Sequence, residues 1–140
     1  MRALPLALLA TLTLAACGSP EPQQLAVGDC LTISSVGSTV EQVPVVACDE
    51  AHEAEVYAVY DVADADDYDE DAVIAQVEER CVGLFAAYVG EPYATSSLDI
   101  FYTWPLEDAW AEGGREAVCA AYVPDPDTGR PLEFEGTLAG

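Results

Sequence analysis

The sequence contains no lysine and one histidine, His52. Its four basic side chains are therefore all arginines, against 26 Asp and Glu residues, and the formal net charge is −22. Proteins that bind nucleic acids need a basic surface to neutralise phosphates, so we expect no binding to nucleic acid. The acidic surface confers solubility and favours basic partners over anionic ones. The lack of lysine also excludes Schiff-base chemistry and Ser-x-x-Lys acyl transfer.

Signatures of other enzymes are missing too. No serine lies in a Gly-x-Ser-x-Gly context, and the chain has no glycine-rich phosphate loop. The abundant acids offer many carboxylate pairs for glycoside hydrolysis, but the spacing distinguishes none of them. We therefore predict that the protein is not an enzyme and needs no cofactor. A small wall-active hydrolase that uses unidentified carboxylates is the alternative.

Long apolar runs are limited to the N-terminus. Arg2 precedes an apolar stretch over residues 3–14, which has the length of a signal-peptide core and is shorter than the roughly 20 residues of a membrane-spanning helix. The stretch ends in Leu14-Ala15-Ala16-Cys17, which resembles the bacterial lipobox. The resemblance implies cleavage after residue 16 and acyl chains on Cys17. We therefore predict a lipoprotein held at the extracytoplasmic face of the cell membrane.

The remaining chain has room for one domain. Residues 17–26 begin with a Gly-Ser-Pro-Glu-Pro tract after the cysteine, which is typical of a flexible tether. Residues 27–140 then carry the regular hydrophobic patterns, so we predict a single domain over that range.

Four cysteines follow Cys17, and an even number in an exported protein is typical of disulfide bonds. Three pairings are possible. We favour Cys30 with Cys48 and Cys81 with Cys119, since each pair joins neighbours along the chain and closes a loop of moderate length. Zinc is the competing interpretation, but there is no Cys-x-x-Cys pair, so no metal is expected.

The hydrophobic periodicity predicts an α+β domain, with a small antiparallel sheet packed against one main helix over about residues 70–89. The acidic run at residues 64–71 lacks the glycine and glutamate of an EF-hand, so it indicates a helix start rather than a calcium site. Alternation over residues 54–62 predicts a half-buried strand. Further strands are expected near residues 27–33, 42–47, 98–104, 115–123 and 132–138, the first two pairing as a hairpin.

Two motifs resemble a known family. The first is a cysteine followed by His-x-x-Glu-Val, at Cys48, His52, Glu55 and Val56. The second is Trp-x-x-Gly-x-Arg-x-x-x-Cys, at Trp110, Gly113, Arg115 and Cys119. Together they resemble the bacterial septum-formation family of extracytoplasmic domains over about residues 27–138, with Ala51 where that family usually has a proline. The resemblance implies an envelope location, the general fold and a role near cell division, without naming a reaction or ligand.

Residues of these motifs supply the candidate sites. We hypothesise that His52 and Trp110 contribute exposed side chains to an interaction surface, the other interpretation being a structural role at a strand end for His52 and in the core for the aromatic side chains. We also hypothesise that Glu55 and Arg115 form a structural ion pair on neighbouring strands. No catalytic residue is assigned. The predicted function is that of a non-catalytic lipoprotein, a binding or assembly module of the cell envelope. Its expected partners are the membrane, through Cys17, and an envelope protein or wall component.

Overall fold

The structure, a computed structural model, describes residues 23–34 and 42–140. Its six strands are β1 (Cys30–Leu31), β2 (Val45–Val46), β3 (Ala54–Asp61), β4 (Asp99–Thr103), β5 (Glu116–Pro124) and β6 (Pro131–Leu132). The helices are α1 (Glu70–Val89) and the short α2 (Glu107–Ala111), with a 3-10 turn at Tyr93–Thr95. The predicted α+β class with one main helix is confirmed. The predicted signal peptide, Cys17 and most of the predicted tether lie outside the described residues.

All strand pairs are antiparallel, in the order β2-β1-β3-β5-β4, and β6 pairs with the far end of β5. β1 and β2 pair as the predicted hairpin. The long central pair, β3 and β5, extends from Ala54 opposite Tyr122 to Asp61 opposite Glu116, with a register shift between Val56 and Ala58. β4 pairs with β5 and forms one edge of the sheet. The two long central strands therefore carry the sheet.

The acidic run does start a helix. Asp69 is the N-cap of α1, and its side chain accepts a hydrogen bond from the backbone N–H of Ala72 at 3.1 Å. Glu70 and Asp71 in the first turn complement the positive end of the helix dipole. Gly90 ends the helix in the left-handed conformation, with φ of 88°, which glycine adopts without a steric penalty.

The sheet is buried on both faces near its centre. On one face α1 packs its apolar stripe, Val73, Val77, Cys81 and Phe85, against β3 and β5. A second cluster lies on the opposite face and consists of Leu31, Ile33, Val43, Ala54, Val56, Val118 and Ala120. The prediction of a half-buried β3 is wrong for residues 54–58, which are all buried, because a central strand covered on both sides exposes neither face.

Both predicted disulfides are confirmed. Cys30–Cys48 joins β1 to the residues after β2, with Cα atoms 5.3 Å apart. Cys81–Cys119 joins α1 to β5, with Cα atoms 5.6 Å apart. The second bridge therefore connects the two layers of the domain. Within residues 23–34 and 42–140, no helix is long and apolar enough to cross a membrane.

Candidate functional site

His52 lies two residues before the start of β3 and is 1% exposed. Its backbone exchanges two hydrogen bonds with Phe134, of 3.0 and 2.8 Å, and its ring lies 4.2 Å from the Phe134 ring. Nδ1 is 2.8 Å from the carbonyl oxygen of Glu50, so Nδ1 is the donor, since a carbonyl only accepts. Nε2 is buried without a partner among the described residues. His52 thus holds the C-terminal segment; its burial agrees with the structural interpretation, and the hypothesis of an exposed His52 side chain is wrong.

Glu55 serves the same C-terminal segment from within β3, where it is 2% exposed. Its Oε1 accepts hydrogen bonds from the hydroxyls of Tyr88 at 2.5 Å and Thr137 at 2.7 Å. Its Oε2 accepts one from the backbone N–H of Leu138. Burial, followed by the hydrogen bond to Glu55, raises the pKa of Tyr88 to about 12. One carboxylate therefore ties β3 to both α1 and the chain end.

The predicted ion pair between Glu55 and Arg115 is wrong. The guanidinium of Arg115 lies 2.8 Å from Asp64 Oδ1 instead. The register explains the error, because Glu55 lies opposite Ala121 whereas Arg115 precedes β5 at the other end of this strand pair. Six residues of extended strand separate Ala121 from Arg115, a distance of roughly 20 Å. The presence of Glu55 and Arg115 in the two family-like motifs therefore did not mean that they are close in the sheet.

Arg115 holds together the corner between α2 and the start of β5. Its guanidinium donates to the backbone carbonyls of Trp110 and Gly114, at 2.9 and 2.8 Å, and lies 3.7 Å above the Trp110 ring. The hydrogen bond from Arg115 and its positive charge lower the pKa of Asp64. Trp110 is 7% exposed and packs on Tyr68, so its predicted role as an exposed binding group is also wrong. Both family-like motifs thus stabilise the fold in this structure.

An open groove lies between α1 and the edge strand β4. It has a volume of about 280 Å³ and is lined by Glu78, Val82, Tyr93, Asp99, Ile100 and Tyr102. We call these residues the β4 groove. Sequence reasoning did not locate it, because the alternation of Ile100 and Tyr102 indicates only one face of a strand. The concentration of tyrosines and acids on α1, β4 and the 3-10 turn was the available signal.

Phenol–carboxylate hydrogen bonds organise the walls of the β4 groove. Tyr93 donates to Asp99 Oδ1 at 2.7 Å, Tyr122 donates to Asp99 Oδ2 at 3.2 Å, and Tyr102 donates to Glu78 Oε1 at 2.6 Å. The hydrogen bond to Asp99, together with burial, raises the pKa of Tyr93 to about 12. Burial, followed by Glu78, raises the pKa of Tyr102 to about 12. These phenols therefore remain protonated donors at physiological pH, and they hold the acidic side chains in place.

The outer side of β4 presents backbone groups. The N–H of Ile100 bonds to the side chain of Asp99 at 2.8 Å, so this amide points away from β5. Alternation in an antiparallel ladder directs the backbone N–H and C=O of Tyr102 to the same side. In the part of the chain that the structure describes, no strand pairs with this side of β4. The β4 groove thus adjoins an open sheet edge.

A family model described as septum formation matches residues 26–140. The chain belongs to the septum-formation family. No curated protein and no solved structure matches it. The match begins close to the predicted domain start at residue 27 and contains both motifs, both disulfides and the β4 groove. Membership indicates a role in septum formation or cell division.

The described residues of this septum-formation domain hold no group of three or more His, Cys, Asp or Glu side chains placed to bind a metal ion. The acidic run before α1 is used locally, since Asp64 pairs with Arg115 and Asp69 caps the helix. The β4 groove offers aromatic faces and carboxylates, and it adjoins the outward backbone groups of Tyr102. Such an arrangement is suited to binding a ligand.

Proposed function

We propose that this member of the septum-formation family is an extracytoplasmic lipoprotein whose domain acts, without catalysis, as a binding or assembly module of the cell envelope during septum formation. In this proposal acyl chains on Cys17 hold the protein on the membrane, and residues 17–26 act as the tether. Tethering raises the local concentration of the domain near other envelope components, so modest affinities are sufficient.

The observation that carries this proposal is the extent of the family match. It begins at residue 26, the last residue of the predicted tether that follows the lipobox-like sequence, and continues to residue 140. The two disulfides support the extracytoplasmic location, because such bonds persist mainly in oxidising compartments. Sequence, family and covalent structure therefore favour the same side of the membrane.

The proposed absence of catalysis has a separate argument. The motif side chains best able to take part in acid–base or electrostatic catalysis are His52, Glu55 and Arg115, and all three make contacts that hold the domain together. A nucleophile or general base must instead reach a substrate. We therefore favour a surface that binds a partner over a hydrolytic site.

Substitution of Cys17 by serine tests the anchoring. We expect Cys17→Ser to abolish lipidation, so that the acyl mass is absent and the precursor is left uncleaved or misprocessed, because serine offers no thiol for acylation. Membrane fractionation and intact-mass measurement of the bacterial protein check this, with Gln24→Ala as a control that leaves the lipobox-like sequence unchanged. Retention of the acyl mass and of membrane binding by Cys17→Ser would refute the lipoprotein assignment.

The division role and the absence of catalysis need different measurements. We expect a fluorescent fusion of the full chain to concentrate at division sites, and we expect the purified protein to release no fragments from wall polymers. A uniform distribution around the cell would contradict the role in septum formation. Time-dependent release of wall fragments, lost on amidation of one carboxylate, would instead support the hydrolase alternative.

A further inference from the structure

We propose that the open edge of β4 binds an extended basic segment of another envelope protein by strand addition. The inference rests on the proposed function and names the chemical class of its partner. In strand addition, an extended peptide pairs its backbone with a sheet edge, and its alternate side chains enter pockets beside that edge. The structure provides the edge, the adjoining groove and the charge for this mode of binding.

The two ends of the sheet differ in how well they are protected. Proteins usually protect exposed edges by short strands, by proline, or by charged side chains, lysine above all. The β2 edge has two residues and follows Pro44. The β4 edge has five residues, Asp99 to Thr103, with neither proline nor lysine; its charged residue, Asp99, occupies the outward amide of Ile100 and leaves that of Tyr102. β4 is therefore the end of the sheet at which another strand is able to pair.

The groove beside this edge selects the side chains of the added strand. Successive side chains of a strand point to opposite faces, so every second residue of the partner would lie over the β4 groove. Glu78 and Asp99 place carboxylates there, and Val82, which is 45% exposed, supplies an apolar surface for the methylene chain of an arginine or lysine. The partner segment is thus expected to carry a basic residue at alternate positions.

Charge complementarity favours a basic partner for a second reason. The chain has a net charge of −22 and no lysine, so it has few cations of its own to place in the β4 groove. Arg115 lies over Trp110, and Arg80 lies over the ring of Tyr60, 5.9 Å from its centre. None of the three described arginines, Arg80, Arg115 and Arg130, lines the groove. Basic side chains that neutralise Glu78 and Asp99 are therefore expected from another molecule.

A peptide-binding experiment tests the inference. The full-length lipoprotein, extracted from membranes in neutral detergent, is titrated with a synthetic peptide of alternating threonine and arginine. A second peptide of the same composition carries its arginines in one block. We expect the alternating peptide to bind more tightly, to lose affinity as salt rises, and to slow hydrogen exchange at the backbone amide of Tyr102.

Two matched pairs of variants locate the site. Val82→Arg places a positive charge in the β4 groove and is expected to weaken binding about tenfold, whereas Val45→Arg, at a residue 47% exposed on the opposite edge, changes it less than about twofold. Glu78→Gln keeps a hydrogen-bond acceptor for Tyr102 but removes the charge, and is expected to weaken binding about threefold. Glu79→Gln, the next residue on α1, is its control.

Three results would overturn the inference: no binding of the alternating peptide, equal affinity for the blocked peptide, or equal effects of Val82→Arg and Val45→Arg. Each result would mean that the peptide does not pair with the β4 edge, or that only the overall charges of peptide and protein determine binding. These failures are separate from failure of the proposed function. Absence of the wild-type protein from division sites would refute the division role, even if the peptide still slowed hydrogen exchange at the Tyr102 amide.

Discussion

At the scale of single residues, two buried glutamates near the start of β3 have different hydrogen-bonding patterns. Glu53 uses one oxygen, Oε2, to accept the backbone N–H groups of Ile33 and Ser34, both at 2.7 Å. Glu55 uses both oxygens to accept from Tyr88, Thr137 and Leu138. A glutamine retains one accepting oxygen and replaces the other by a donor. The two sites should therefore respond differently to the same substitution.

We expect Glu55→Gln to lower the free energy of unfolding by about 1 to 3 kcal/mol, because its new NH2 group would face the hydroxyls of Tyr88 and Thr137, which now donate to Glu55 and would have to turn to accept. Glu53→Gln is the matched control and should cost about 1 kcal/mol or less, since a single carbonyl oxygen is able to accept both amides. Urea denaturation of the two variants measures both values. Equal losses would contradict the assigned hydrogen bonds of Glu55.

At the scale of elements, the central strand pair contains a repulsive contact. Asp61 of β3 lies directly opposite Glu116 of β5 at the end of the ladder. Burial, followed by the charge of Asp61, raises the pKa of Glu116. Like charges opposite each other on neighbouring strands destabilise a sheet. β3 therefore pairs with β5 despite the charge repulsion at this end of the ladder, and the apolar residue pairs along the middle of the two strands stabilise the pairing.

We expect Glu116→Gln to stabilise the protein by about 0.2 to 1 kcal/mol at neutral pH. Because the pKa of Glu116 is higher in the folded state, the carboxyl becomes protonated there as the pH falls, and the repulsion disappears. The advantage of the variant should therefore vanish in acid. Denaturation at neutral and acidic pH measures it, with the exposed Glu133→Gln as control. A gain that persists in acid would exclude this charge contact as its cause.

At the scale of the whole molecule, the tyrosines share one property. The pKa of every one is raised above 10.0, at Tyr57, Tyr60, Tyr68, Tyr88, Tyr93, Tyr102 and Tyr122. Burial is the first cause at all of them except Tyr93, where the hydrogen bond to Asp99 comes first. The folded state thus favours neutral phenols, and their ionisation is coupled to unfolding.

We expect the free energy of unfolding to change little from tyrosine ionisation below pH 10, and to fall steeply as the pH rises from 10 towards 12. The sign follows because the unfolded chain releases its phenolic protons at lower pH than the folded chain does. Phenolate absorbance and circular dichroism should change together. Brief exposure followed by return to neutral pH controls for disulfide damage. Phenolate formation near pH 10 with the fold intact would contradict this prediction.

The sequence by itself determined the features that depend on neighbouring residues. The acidic run and Gly90 set the ends of α1, alternation located the long strands, and the order of the cysteines along the chain indicated their pairing. The two motifs also identified the family, which the match over residues 26–140 confirms. These inferences succeeded because capping, periodicity and short loop closure are local properties of a chain.

Only the tertiary structure decided which distant side chains meet. Sheet register placed Glu55 opposite Ala121 and left Arg115 at the far end of the strand pair, beside Asp64. Packing of the C-terminal segment buried His52, and the corner around Arg115 buried Trp110. Strand order left β4 at an edge beside α1 and thereby created the β4 groove. Register, layer packing and strand order are long-range choices, and periodicity along one segment carries no information about them.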